Sequence, residues 1–294
     1  MTGFVSDIGK KLTEKWLSLL ALPGLLLVAA VVIGSSLGHR HALDWRRLTN
    51  TMSKDSNALQ QRPVALILLL LAFLLASIFA GFVAQGLGTM VESLWLRFGP
   101  ARLGAPLVRY RQRRWDRVQD KYLAPSDLQV GHAEFSAQRA RLAQDRTAIS
   151  LSRPDRPTWI GDRFRSVGVR VYGQYGIDLN AAWPRLWLLI PDNVRSELRT
   201  ARTGFSSATT TVAWGILFLV VGVLWWPACI IGSVLIAIGW YRSRTAADAM
   251  ASLAEATVDL FIVHLAESLG VETRGQQVTP IMGNKINEQL RKGA

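Results

Sequence analysis

Charge is absent from long stretches of this chain: no Asp, Glu, Lys or Arg occurs from Trp16 to Gly38, from Val64 to Val91, or from Ala208 to Tyr241. Runs of this kind point to lipid, because about 20 apolar residues in a helix match the roughly 30 Å of hydrocarbon in a bilayer. Cysteine is nearly absent too. The lone Cys229 excludes a disulfide framework or thiolate metal cluster within one chain. Of four histidines only His39 and His41, beside Asp44, stand close together; they are too few for a structural site, and no metal or cofactor is expected. The chain also lacks a nucleophile elbow, a phosphate-cradling glycine loop and paired catalytic carboxylates, so no enzyme activity is expected. Finally, the apolar runs hold no ionisable residue at their middle, where transporters and pumps carry their coupling groups.

What is present defines an expected fold class: an all-α integral membrane protein, with four transmembrane helices in two hairpins and a small helical cytoplasmic domain between spans 2 and 3. The expected map runs as follows: a cytoplasmic N-terminus at 1–15, a first span at 16–38, an external loop at 39–62, and a second span at 63–91 opened by Pro63. A basic helical domain follows at 92–206. The block from Ala208 to Tyr241 would be about 50 Å long as one helix, so Trp225-Trp226-Pro227 is read as a turn between spans at 207–225 and 227–243. An acidic amphipathic helix at 244–270 and a flexible tail at 271–294 complete the chain. Two alternatives stay open. Lys10, Lys11 and Lys15 before the first run, with Ser36-Leu37-Gly38 after it, also fit a cleaved signal peptide. The 227–243 run is short enough for a tilted hairpin that does not fully cross.

The formal charge of +13 is unevenly placed: residues 89–207 carry +9, whereas residues 241–294 sum to zero. With Lys10, Lys11, Lys15, Arg97, Arg102, Arg199, Arg202, Arg242 and Arg244 flanking one side, both termini are expected in the cytoplasm, with the spans in the cell membrane. Just beyond the second span, Val108, Trp115, Val118 and Tyr122 share a helix face and arginines fill the rest. Arg109, Arg111, Arg113, Arg114, Trp115 and Arg117 are therefore candidates for contact with anionic lipid headgroups or a protein partner. The same charge also serves as a topology signal and a solvated face. Nucleic acid is not an expected partner, because no reading module accompanies these residues.

Two further constellations stand out. Ala72, Ala76, Ala80, Ala84 and Gly88 recur every four residues and form a ridge that admits a close neighbour, either within the chain or in a second copy as a homo-oligomer. In the 244–270 helix, Asp248, Glu255, Asp259 and Glu267 occur with no Lys or Arg between Thr245 and Gly270, and Met250, Leu253, Thr257, Leu260 or Phe261, and Leu265 make an apolar stripe. That acidic helix is expected to dock onto the basic domain, with 107–122 as the counterpart to test.

Within the basic domain, Ile160, Phe164, Val167, Val171 and Tyr175 are expected to face a core along a helix that Gly176 ends. Asp192 is read as the N-cap of a helix running toward the third span. The run Pro157-Thr158-Trp159-Ile160-Gly161-Asp162-Arg163, with Tyr175-Gly176-Ile177-Asp178, Trp183-Pro184-Arg185-Leu186 and Ile190-Pro191-Asp192, resembles a pattern in uncharacterised bacterial multi-pass membrane proteins. Members tend to carry Leu-Gly-Asn at 160–162 and an acidic residue near 169, where this chain has Ile-Gly-Asp and Val169. The resemblance implies a domain of this kind between spans and no assigned activity. The functional expectation is a membrane-anchored assembly or regulatory protein whose basic cytoplasmic domain binds a protein partner or the anionic inner leaflet. The alternative is a homo-oligomeric channel or pore-forming effector.

Overall fold

A computed structural model describes residues 22–44, 46, 49, 63–96, 101–123, 132–273 and 277–291. Among them every regular element is helical: α1 (Leu22–Leu37), α2 (Pro63–Leu96), α3 (Ala101–Leu123), α4 (His132–Ile149), α5 (Trp159–Tyr175), α6 (Leu179–Leu189), α7 (Asp192–Val221), α8 (Trp226–Ser268) and α9 (Pro280–Arg291). Three stretches, Val64–Leu96, Asp192–Val221 and Trp226–Ser268, are helices long and apolar enough to cross a membrane, which points to a membrane protein; α1 is apolar but shorter. The expected N-terminus at 1–15, residues 16–21 of the first expected span and most of the 39–62 loop lie outside the described residues.

The chain divides into two compact units, one of residues 1–91 and 206–242, the other of residues 92–205 and 243–294. In the first unit small residues set the packing. A Cβ added to Gly24 of α1 would lie 2.2 Å from the Ser77 carbonyl oxygen of α2, so these two backbones touch. Gly215 and Gly232 do the same between α7 and α8, each within 2.7–2.8 Å of the other's carbonyl oxygen once given a Cβ. Close approach of this kind is how helices associate where lipid offers no hydrophobic drive. Leu27, Ala30, Ala84, Trp214, Phe218, Val221 and Ala228 form the buried cluster. The turn between α7 and α8 is pinned to the chain after α1: Trp225 Nε1 donates to the Ala42 carbonyl at 2.9 Å, and His39 Nδ1 lies 3.0 Å from the Leu224 carbonyl. On α2, Ile67, Leu70 and Phe79 are at least 60% exposed, the surface an apolar solvent covers.

The second unit has its own core, in which Val167, Val171 and Tyr175 of α5, Leu186 of α6, Leu198 of α7, Val258, Ile262 and Leu265 of α8, and Ile286 and Leu290 of α9 pack together. Thr158 caps α5 by accepting from Gly161 N, and Gly176 closes it at φ 68°. Three sequence expectations are corrected here. Residues 227–243 and 244–270 are not separate elements: α8 runs unbroken for 43 residues, about 65 Å, because no Gly or Pro interrupts the Ala-rich stretch after Tyr241. Its buried stripe is Ala247, Ala251, Val258, Ile262 and Leu265, whereas Leu260 is 76% exposed. Within the expected tail, Pro280–Arg291 form a helix, α9, with Gly283, Ile286, Asn287 and Leu290 buried. At the start of α7, Asp192 is the first helical residue rather than the cap, since Arg195 N donates to Pro191 O and the Asp192 carboxylate pairs with Arg195 at 3.1 Å.

Candidate functional site

Helix α3 carries charge on two faces that do different things. On the inward face Arg111 Nη1 donates to Asp162 Oδ2 and to the Arg156 carbonyl, both at 2.6 Å, while Nη2 reaches the Ile149 carbonyl at 3.1 Å. Gln112 Nε2 donates to the Pro154 carbonyl and Trp115 Nε1 to the Ser150 carbonyl. The linker between α4 and α5 leaves these carbonyls without secondary-structure partners, and α3 supplies the donors. Further along, Arg146 of α4 donates to Gln119, and Arg139 and Arg146 lie 5.1 and 5.2 Å from the centre of the Tyr122 ring.

Asp162 is the hub of this arrangement. It is 1% exposed, and its other oxygen accepts from the backbone N–H of Asp155 and of Arg156, each at 2.9 Å. Burial pushes the Asp162 carboxyl above its ordinary value and the Arg111 guanidinium below its own; their mutual attraction opposes both shifts, and the two backbone donors oppose that of Asp162. Next to the hub, Thr158 Oγ1 donates to the Trp95 carbonyl at 2.9 Å and Arg156 Nη1 donates to the Leu96 carbonyl. Residues 156–162 thus satisfy carbonyls that the end of α2 leaves open.

The outward face is a different surface. Arg109, Arg113, Arg114 and Arg117 are exposed, along with Lys121, Leu107 and Tyr110. Within that face Arg117 Nε reaches only the Arg113 carbonyl of its own helix, at 3.1 Å. The six sequence candidates on α3 therefore split: Arg111 and Trp115 hold the linker, and the other four arginines face outward.

The acidic residues of α8 meet α5 rather than the 107–122 segment. Asp248 accepts from Arg163 Nε at 2.5 Å, Glu255 pairs with Arg170 at 2.8 Å, and Asp259 accepts from the Tyr175 hydroxyl at 2.9 Å. Glu267 accepts from Thr273 Oγ1 within the turn that follows α8. The spacing of 163 and 170 against 248 and 255, two turns on each helix, is the one-face register of two packed helices. Burial and the Asp259 carboxylate push the Tyr175 phenol up to about 12. A phenol raised above its ordinary value near 10 adds stability that is fully present below pH 10 and is lost as pH rises toward 12. Ultraviolet titration of tyrosinate should show a last phase near pH 12 from Tyr175. Tyr175→Phe should remove that last phase and lower stability by about 1 kcal/mol.

The small-residue ridge of α2 is divided. Ala84 is fully buried and Gly88 sits against Thr210 of α7, with 3.1–3.3 Å left for an added Cβ, whereas Ala72 and Ala76 are exposed. The buried line is Ser77, Gly81, Ala84 and Gly88. Sequence reasoning assigned no role to Asp162, Arg163 or Asn287. Asn287 spans the α5–α6 junction by donating to the Gly176 carbonyl and accepting from Asp178 N. The run Asp162-Arg163 offered one signal, two opposite charges inside an otherwise core-facing helix period. Among the described residues no group of His, Cys, Asp and Glu has the geometry of a metal site. No protein-family model, curated protein or solved structure matches the chain.

Proposed function

We propose that this protein is a membrane-anchored assembly or regulatory protein whose basic domain engages anionic headgroups of the inner leaflet, or an acidic protein partner, through the outward face of α3. In this reading α1 is the core of a fourth span, the spans pair as two hairpins, and both termini are cytoplasmic. The observation that carries the reading is the segregation on α3. One face is consumed in hydrogen bonds to the protein, while Arg109, Arg113, Arg114 and Arg117 surround Tyr110 and Leu107 on the other. Arginines around an exposed aromatic suit an interfacial environment, where the ring enters the headgroup layer and the guanidinium groups pair with phosphates.

The test uses the full chain with Tyr110→Cys in a Cys229→Ala background, labelled with a fluorophore and placed in nanodiscs containing a lipid-borne quencher. Quenching should be stronger with phosphatidylglycerol than with phosphatidylcholine alone. It should fall to the phosphatidylcholine level when Arg109, Arg113, Arg114 and Arg117 are all changed to Gln. Equal quenching in both lipids rejects the lipid contact. The exposed Ala72 and Ala76 favour one second reading, a homo-oligomeric channel built on that part of the ridge. A monomeric mass in nanodiscs eliminates it.

A further inference from the structure

Between α4, α5 and α8 the second unit holds a groove of about 680 Å³. Its size is that of a small-molecule site rather than a packing defect. Its lining mixes apolar surface from Ala148, Leu151 and Trp159 with the polar groups of Ser150, Arg163, Arg170, Ser252, Asp248 and Glu255. The four charges occur as two internal pairs, Arg163–Asp248 and Arg170–Glu255, so the lining is neutral overall while both signs are present along it.

Two donors in this lining have no protein partner. Arg163 Nε and Nη2 are used, on Asp248 and Ser252, but Nη1 is not, although the side chain is only 6% exposed. The Ser150 hydroxyl is also unpartnered, at 3% exposure. Buried polar atoms are otherwise almost always paired, and a guanidinium edge and a hydroxyl in one lining are both donors suited to an oxyanion. A plain anion placed there would also meet the carboxylates of Asp248 and Glu255. A plain cation would meet the two arginines.

From these observations we infer that the groove is a binding site for a small zwitterion, a molecule carrying an oxyanion and an ammonium a few bonds apart. The oxyanion takes the free edge of Arg163 and the Ser150 hydroxyl, and the ammonium takes the Glu255 carboxylate. The ligand brings one charge of each sign, so the lining stays neutral overall when it is bound. This chemistry has two sources, a free amino acid or the phosphoethanolamine headgroup of a lipid. The inference does not rest on the lipid contact of α3.

Isothermal titration of the full chain in phosphatidylcholine nanodiscs tests it, with L-alanine and O-phosphoethanolamine as probes and inorganic phosphate and methylamine as single-charge controls. At least one zwitterion should bind saturably and about tenfold more tightly than either control. Ser150→Ala and Glu255→Gln should each weaken that binding by about tenfold. Ser150→Ala deletes a hydroxyl that no protein group uses, so its thermal midpoint should not fall, which separates lost binding from lost folding. Preference for phosphoethanolamine, with binding suppressed when phosphatidylethanolamine is put in the nanodisc, identifies the lipid source. Preference for alanine, unaffected by that lipid, identifies the soluble one. No saturable binding of either zwitterion, phosphate binding as tightly as both, or binding indifferent to Ser150→Ala and Glu255→Gln overturns the inference.

Discussion

Asp162→Ala should lower the stability of the second unit by about 3–5 kcal/mol, the range for breaking a buried ion pair from one side. The loss has three sources. The Arg111 guanidinium, whose side chain is 13% exposed, is left without its counter-charge. The backbone N–H groups of Asp155 and Arg156 lose their acceptor. The linker that Arg111, Gln112 and Trp115 hold then loses its buried anchor on α5 and keeps the longer Arg165–Asp155 pair at 3.3 Å. Denaturant unfolding in detergent, followed by intrinsic tryptophan fluorescence, measures the change. A double variant, Asp162→Ala with Arg111→Met, should recover part of the loss, because it removes the stranded charge as well as its partner. Asp162→Ala at wild-type stability would show that the hub is not what holds α3 to the linker.

The second large effect is expected at Gly283→Ala. A Cβ there would fall 1.9 Å from the Tyr175 carbonyl oxygen, and 3.0 Å from the Gly176 carbonyl carbon. Both obstacles are backbone at the end of α5 and cannot swing aside as a side chain does, so α9 must move away. Overpacking of this kind costs about 1–3 kcal/mol. Here it also withdraws Ile286 and Leu290 from the core, and Asn287 from Gly176 and Asp178. The expected readout is local: faster hydrogen exchange over 280–291 and tryptic cleavage at Lys285, with the exchange of α2 and the 206–242 stretch unchanged. Unaltered exchange in α9 would mean that the contact yields more easily than its geometry implies.

Much of the second unit was legible because its signals are local. Ile160, Val167, Val171 and Tyr175 repeat at helical spacing, and Gly176 closes the helix in the left-handed conformation that glycine alone adopts without strain. The face of α8 was misread for an equally physical reason. Thr257 and Leu265 of the expected stripe are buried, but Leu253 and Leu260 are exposed, and at the start of the packed stretch it is the small Ala247 and Ala251 that are covered. Alanine is common on exposed helix faces too, so its spacing carried no distinct signal. The same holds on α2, where the regular series from Ala72 to Gly88 drew attention while the buried line is offset to Ser77 and Gly81. Asn287 was invisible because its partners lie 109 and 111 residues away.

Solvent preference is a property each residue brings with it, and runs of 20 or more uncharged residues state it without reference to any neighbour. The helical class, the apolar runs and the +9 charge of residues 89–207 were therefore open to reading from composition and order alone. Partnership is not such a property. Whether an arginine on α3 pairs with Asp162 or faces outward, and whether a carboxylate on α8 meets α3 or α5, depends on which groups a distant part of the chain brings within about 3 Å. Only the packed arrangement settled that, because hydrogen bonds and close contacts act over ångströms while the residues that make them are separated by dozens of positions.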